Sequence, residues 1–320
     1  MTLSRAHRFT VGLVVLLFAG RRADAQVRHE FSAVHMGVPV RIVLYSSSDN
    51  LARAAAAAAF SRIARLEDKM SDYRPRSEVR MLSLHPGDWQ PVSRDLLRVL
   101  ARAQEVSRWS SGAFDVTVGP LVQLWRASRR TGRLPDPDVL SQARARTGAA
   151  LLDVDTARAA VRLWVRGMQL DLGGIAKGYI LQEAMAVLRS RGVPSAMIEA
   201  GGDIVVGEAP PGQPGWSVYV AGADTAMLRR ARALTNVAVA TSGGSEQFVE
   251  IEGVRYSHVI DPRTGLGVTG SHLVTVIARD GALADAAATA LSVLGPDRSS
   301  SFRDRFTDAL VSFRLPPGPR

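Results

Sequence analysis

The stretch Met168-Gln-Leu-Asp171-Leu-Gly173-Gly174-Ile-Ala-Lys177-Gly178-Tyr179 joins an extended apolar run, a paired-glycine turn, a lysine and the start of an amphipathic helix. Glycine tolerates positive φ and close backbone approach, so the first free N–H groups of the helix that follows can point at an anion. Lys177 adds a full charge to that partial one. The chain has 38 arginines and only two lysines, Lys69 and Lys177. Against that bias, a lysine at the turn implies a use for a compact ammonium that a planar guanidinium does not serve. On its own the segment also reads as an ordinary strand-turn-helix joint with a solvated lysine.

Outward from this stretch, helical patterns alternate with short apolar runs, without the regular βα period of a doubly wound sheet. The pattern predicts an α+β fold. A strand is expected at 38–45, followed by an alanine-rich helix capped by Asp49 or Asn50 and running to about Met70. Ser93 caps a second helix ending near Ser110-Ser111-Gly112, and Asp136-Pro137 opens a third that stops by Gly148. Strands are expected at 161–165 and 168–172, then a helix over 175–191 closed by Gly192. Further strands fall at 196–198, 216–221, 256–260 and 272–278, and a last helix covers 283–294 before Gly295. The Pro/Gly-rich stretch 209–215 reads as a surface loop and the tail from Pro316 as frayed.

The 320 residues, 46% hydrophobic, suffice for a substantial core. Arg5, His7 and Arg8 precede the apolar run from Val11 to Gly20, and Ala23-Asp24-Ala25 supplies a small-x-small cleavage site. Residues 1–25 therefore read as a secretory signal peptide, with 26–320 as one mature domain; the apolar run is short for a span, and an uncleaved anchor is the alternative. The expected location is periplasmic or otherwise exported. No cysteine is present, which excludes disulfides, thiolate metal sites and lipid attachment through an N-terminal cysteine. Net charge is +10; loss of Arg5, Arg8, Arg21, Arg22 and Asp24 leaves +7, which favours acidic partners. Charges spread over helical faces, aromatics at 6% and no nucleic-acid motif argue against nucleic acid as a partner.

Three more constellations carry chemistry. Asp285 and Thr289, four apart among alanines, put a carboxylate and a hydroxyl on one helical face, where Mg²⁺ could take them along with phosphate oxygens and water. Asp285 could equally do no more than complement the helix dipole. In Tyr256-Ser-His258-Val-Ile-Asp261-Pro-Arg263-Thr264-Gly265 a strand runs into an Asp-Pro turn; His258 is a natural proton carrier, or a structural histidine at a strand end. The block from Ser111 through Ala113-Phe114-Asp115 and Thr117 to Trp125 suits a wall for a flat ring, although a helix-to-strand turn explains most of it.

In order along the chain, these segments resemble the ApbE family, the flavin transferases that move FMN from FAD onto a protein threonine. Six separated blocks carry the resemblance: His35-Met36-Gly37; Met70-Ser71-Asp72-Tyr73 with Ser77-Glu78-Val79; SGAFDVTVGPLVQLW; DLGGIAKGY; Thr241-Ser242-Gly243 with SHVIDPRTG; and ADAAATALSVLG. The resemblance implies an ApbE-like, T-fold-related architecture of mixed, mostly antiparallel sheets packed with helices. It implies FAD contacts at Met36, Tyr73, Ala113, Phe114, Asp115, Asp171, Lys177, Thr241, Ser242 and Val259. Mg²⁺ would lie on the main-chain oxygen of Gly174 with Asp285 and Thr289, beside Ala288. Catalytic roles fall to Lys177, Asp285 and His258, the last as proton acceptor for the incoming hydroxyl. The implied partner is an acceptor protein with a Ser/Thr-Gly-Ala-Thr-like motif, an electron-transfer subunit; membrane contact would come only through an uncleaved signal segment or a membrane-bound acceptor.

Two departures from the family pattern stand out: Gly244-Ser245-Glu246 where an aromatic is common after Thr-Ser-Gly, and Gln182 where an acid is common in the helix after Lys-Gly-Tyr. The first bears on the flavin or acceptor pocket, the second on helix packing. Competing readings are a Mg²⁺-dependent FAD pyrophosphatase releasing FMN and AMP, and a non-catalytic periplasmic FAD-binding protein. A redox flavoenzyme is disfavoured because no G-x-G-x-x-G follows a first strand, and the glycine turn lacks P-loop spacing.

Overall fold

The computed structural model describes residues 26–220, 233–243, 248–270 and 272–314. The expectations for the signal segment, for Gly244-Ser245-Glu246, for the end of the 216–221 strand and for the tail lie outside the described residues.

The described residues open with a hairpin, β1 (Val27–His35) and β2 (Val38–Ser46). Helix α1 (Asp49–Met70) follows, then α2 (Glu78–Met81) and the short β3 (Gln90–Pro91). Next come α3 (Arg94–Trp109), α4 (Gly119–Thr131), α5 (Pro137–Arg144), β4 (Leu152–Asp155), β5 (Ala160–Leu163) and α6 (Ala176–Ser190). Strands β6 (Ala196–Ala200), β7 (Asp203–Val206), β8 (Val237–Gly243), β9 (Phe248–Ile251), β10 (Val254–Ser257), β11 (Ile260–Asp261), β12 (Leu266–Gly267) and β13 (Leu273–Ala278) precede α7 (Gly281–Leu294), α8 (Ser299–Arg305) and β14 (Leu310–Arg314).

A seven-stranded sheet in the order β1-β2-β6-β7-β8-β13-β14 is antiparallel at every step. The α+β reading, with mostly antiparallel sheets packed by helices, holds. Strand β2 shows why its run is nearly all apolar: Val40, Ile42 and Leu44 bury toward the main helical core, while Val43 buries toward Trp216, Val218 and Leu234 on the other face. Alanines 52, 55, 56 and 59 line the buried side of α1, and small side chains let helices pack closely over the sheet. A third apolar cluster joins α4 and α5 to β9 and β11 through Leu121, Trp125, Ala143, Ile251 and Ile260.

Several expectations need correction. The cap of α1 is Ser48, which accepts the Leu51 N–H, and Asp49 lies in the first turn. Residues 168–172 form no strand; they run as an extended strap held by Asp171 N–H to Val116 O (2.8 Å) and Gly119 N–H to Gln169 O (3.2 Å). The neighbouring segment is irregular, so no regular ladder can grow. The predicted 216–221 strand reduces to one bridge between Trp216 and Leu234 among the described residues. The third helix stops at Arg144, short of Gly148, and α7 starts at Gly281 with Asp280 as its cap. The ring-wall block contains the whole first half of α4, opened by Pro120 in its first turn.

Candidate functional site

The glycine turn delivers the chain into α6, and α6 lies antiparallel to α7 at very close range. A Cβ built on Gly178 would fall 1.9 Å from the carbonyl oxygen of Gly281, and one on Gly281 would fall 2.3 Å from that of Gly178. Only paired glycines allow this crossing. One turn on, the Gly178 N–H, an orphan donor of the α6 N-terminus, donates to Asp285 Oδ2 at 3.1 Å. Gln182 completes the joint, its side-chain oxygen accepting the Gly281 N–H at the start of α7. The departure at this position thus serves helix packing.

Lys177 Nζ stands 2.6 Å from Asp203 Oδ2 and 3.6 Å from Asp285 Oδ1. Asp203 is 2% exposed and Asp285 4%, whereas the lysine side chain keeps 29% of its surface open. The other Asp203 oxygen accepts the Thr241 N–H at 3.3 Å. Asp203 has its place because β6 turns into β7 through Gly201 (φ +55°) and Gly202 (φ +91°), a tight two-residue turn that pairs Ala200 with Asp203. Sequence reasoning missed this residue, although the Gly-Gly-Asp between two apolar runs was a usable hairpin signal.

Two buried carboxylates therefore share one ammonium. Burial opposes the charge on Lys177, yet Asp285 and Asp203 outweigh it and hold the amine protonated above its ordinary range. For Asp285, burial raises the carboxyl and Asp203 adds to that, against the pull of Lys177 and the Gly178 N–H. Two carboxyl groups thus face a single ammonium, and burial with this crowding pushes the Asp285 carboxyl up to about 7.

Gly174 brings the other oxygen donors in. A Cβ on it would lie 2.9 Å from Thr289 Oγ1 and 3.3 Å from the Phe114 ring, so its backbone, the Thr289 hydroxyl and the Phe114 edge crowd together. Asp285 and Thr289 share one face of α7, with fully buried Ala288 beside them. Among the described residues no three His, Cys, Asp or Glu side chains group as metal ligands. A hard cation here would have to draw on hydroxyl and main-chain oxygens besides Asp285, and that donor chemistry suits one.

A second assembly flanks the turn. Arg126 of α4 donates to Asp72 Oδ2 (2.7 Å) and Asp171 Oδ2 (3.3 Å) and lies 4.4 Å over the ring of Tyr73, which is 75% exposed. Burial and then Asp72 push the Asp171 carboxyl up, against the Gly173 N–H and Arg126. Arg126 was hidden from sequence reasoning inside the unpredicted helix. Asp115 Oδ1 accepts the amide (2.8 Å) and hydroxyl (2.7 Å) of Thr117, and burial still raises its carboxyl above the usual range. Asp115 borders a cavity of about 390 Å³ with Ser111, Gly112, Thr147, Pro262 and Arg263. Ala113 and Phe114 are buried beside it, Phe114 N–H donating to Ser110 Oγ.

The remaining expected residues lie on other elements. Met36 occupies the β1–β2 turn at φ +53°. Thr241 Oγ1 pairs with Thr275 Oγ1 at 3.0 Å, and Ser242 Oγ with Ser292 Oγ of α7 at 3.4 Å. His258 is exposed in the bend between β10 and β11, next to buried Val259; Trp125 Nε1 of α4 donates to Ser257 O (3.0 Å) and ties that bend to α4. Asp261 is held by Arg263 through two bonds of 2.8 Å. The structure thus brings Phe114, Gly174, Lys177, Asp285 and Thr289 into one neighbourhood, with Thr241 joined to it through Asp203.

Fold and site define an α+β protein with a buried acid–lysine cluster at a helix crossing beside a glycine turn. Residues 36–311 match the model of the ApbE family, and the chain belongs to that family. Curated relatives include the "FAD:protein FMN transferase" of Klebsiella pneumoniae, 33% identical over 84% of each chain, and that of Treponema pallidum, 31% identical over 95% of this chain and 90% of the other. Among solved structures, the flavin transferase ApbE from Vibrio cholerae superposes with a TM-score of 0.80 at 27% identity, covering 92% of this chain and 95% of that one. The Thermotoga maritima ApbE protein gives a TM-score of 0.76 at 32% identity, covering 89% and 93%.

Proposed function

We propose that the chain is a Mg²⁺-dependent FAD:protein FMN transferase that joins FMN to a threonine of an acceptor protein by a phosphoester bond and releases AMP. The observation that carries the reading is the buried Lys177–Asp203–Asp285 cluster beside Gly174 and Thr289. Its carboxyl, hydroxyl and main-chain oxygen donors suit one hard divalent cation next to a phosphate. Asp285, Thr289 and the main-chain oxygen of Gly174 would hold the Mg²⁺, Ala288 leaving room. When bound, the ion would neutralise pyrophosphate charge and make phosphorus more electrophilic.

The chain's own groups do the rest. Lys177, protonated and partly open, offsets charge on the phosphates at the α6 N-terminus. Phe114, Ala113 and Asp115, with Asp171, Tyr73, Met36, Thr241, Ser242 and Val259, form the FAD site. His258 takes the proton of the acceptor threonine. A bond forms from the threonine oxygen to the riboflavin-side phosphorus, the anhydride P–O bond breaks, and the electron pair leaves with AMP. Residues 26–320 act as one exported domain after removal of the signal segment; no helix among the described residues is long and apolar enough to cross a membrane. The acceptor is an electron-transfer subunit with a Ser/Thr-Gly-Ala-Thr-like motif.

The test is incubation of purified protein with FAD and Mg²⁺, with and without a domain carrying such a motif, following acceptor mass and AMP. One FMN gained per acceptor, matched by AMP and abolished by chelation, is expected. AMP with unmodified acceptor would indicate a pyrophosphatase, and neither product a FAD-binding protein.

A further inference from the structure

Asp203 belongs to the cluster but is given no step in the chemistry above, although it is the nearer of the two carboxylates to Lys177. We infer that Asp203 is a positioning residue that takes the Lys177 ammonium as its own hydrogen-bond partner, so that Asp285 Oδ1 is left open to a divalent cation. This rests on the reading of Gly174, Asp285 and Thr289 as the cation site.

The geometry is asymmetric. The ammonium sits at 2.6 Å from Asp203 and at 3.6 Å from Asp285, a full hydrogen bond against a looser ionic contact. Asp203 has nowhere else to go: one oxygen holds the lysine, and the other is occupied by the Thr241 N–H. It is anchored in the middle of the sheet by the Gly201-Gly202 turn, between the strands that flank β7. Asp285, by contrast, comes from α7, one helical turn from Thr289, with one oxygen on the Gly178 N–H.

Removing the Asp203 charge leaves one ammonium and one carboxylate. The lysine then has a single anionic partner, and a cation must compete with it for Asp285. With Asp203 in place, the lysine has its own counter-charge and the pair presents little net field to an incoming ion. The role is therefore exerted on metal binding through Lys177, and it should vanish when Lys177 is absent.

Mn²⁺ binding to the full protein, followed by electron paramagnetic resonance without substrate, tests this. Asp203→Asn is expected to raise the Mn²⁺ dissociation constant at least about tenfold, a modest fraction of the Coulomb energy between charges at this spacing. Lys177→Met should bind Mn²⁺ at least as tightly as wild type, and Lys177→Met with Asp203→Asn should bind no worse than Lys177→Met alone. Thermal melting of each variant separates a binding loss from unfolding. Should Asp203→Asn alone fail to fold, the two Lys177→Met proteins still decide. Unchanged binding in Asp203→Asn, weaker binding in Lys177→Met, or an undiminished Asp203→Asn penalty in the Lys177→Met background would overturn the division of roles. Absence of any Mn²⁺ binding by wild type would instead bring down the cation-site reading beneath it.

Discussion

Replacing Gly178 by alanine should damage the site more than any other single methyl group added to this protein. The new Cβ would sit 1.9 Å from the Gly281 carbonyl oxygen and 2.9 Å from Asp285 Cβ. The obstacle is backbone, so no side chain can rotate out of the way. Ordinary contact begins at about 3.4 Å, so α6 and α7 must separate by roughly 1.5 Å at this point. The Lys177–Asp285 spacing of 3.6 Å opens with them, and the 3.1 Å bond from Gly178 N–H to Asp285 is lost. Overpacking of this kind costs about 3 kcal/mol, or a fall of roughly 6 °C in Tm for a chain of this size. A displacement of about 1 Å within a reacting constellation costs on the order of 100-fold in rate. Differential scanning calorimetry and a discontinuous assay of AMP release from FAD read the two effects separately. A Gly178→Ala protein that melts and turns over like wild type would refute the close crossing and its link to the site.

Asp285→Asn should lower Mg²⁺-dependent turnover by about 1000-fold or more while leaving Tm unchanged or higher, since it relieves a crowded pair of buried carboxylates; a large fall in Tm with residual activity would contradict this. His258→Ala should reduce kcat by about 100-fold with little change in KM for FAD, as steady-state kinetics with acceptor would show, and an equal loss in both would assign His258 to the pocket. Gly174→Ala, which places a Cβ 2.9 Å from Thr289 Oγ1, should weaken Mn²⁺ binding measured by calorimetry, and unchanged affinity would remove Gly174 from the cation site. Away from the site, burial would raise the Asp95 carboxyl, but hydrogen bonds from Arg62, Tyr179 and Lys69 hold it down to about 2. Its stabilisation is present above about pH 4 and is lost as pH falls through 2. Allowing for solvent at the rim, Asp95→Asn should cost about 1 to 2 kcal/mol in urea unfolding at pH 7 and much less near pH 2, and a pH-independent difference would contradict the ion-pair origin.

Local signals that act locally were readable from residues alone. Ser93 caps α3 as expected, Pro137 opens α5, and the 3.6 period located α6 and α7 within a few residues. The i, i+4 pair of Asp285 and Thr289 and the glycine turn also pointed to neighbouring chemistry, which the fold places together. What stayed hidden depends on distant partners. Strand β1 is an edge strand with Arg28, His29 and Glu30 in it, and its pairing with β2 rather than its own pattern makes it a strand. Residues 168–172 look like a strand, yet their neighbour is an irregular segment, and regular pairing never forms. Asp203 gave only a turn signal, because its importance comes from Lys177, 26 positions away, reaching it across the helix–sheet interface. Arg126 likewise means little until α4 lays it between Asp72 and Asp171.

The most direct measurement is intact-mass analysis of an acceptor domain incubated with the protein, FAD and Mg²⁺ in ¹⁸O-enriched water, with AMP analysed in parallel. Attack by a threonine oxygen on the riboflavin-side phosphorus should add one unlabelled FMN to the acceptor and release one unlabelled AMP, and both should disappear on chelation. An acceptor of unchanged mass, or ¹⁸O in the AMP phosphate, would contradict transfer at this site.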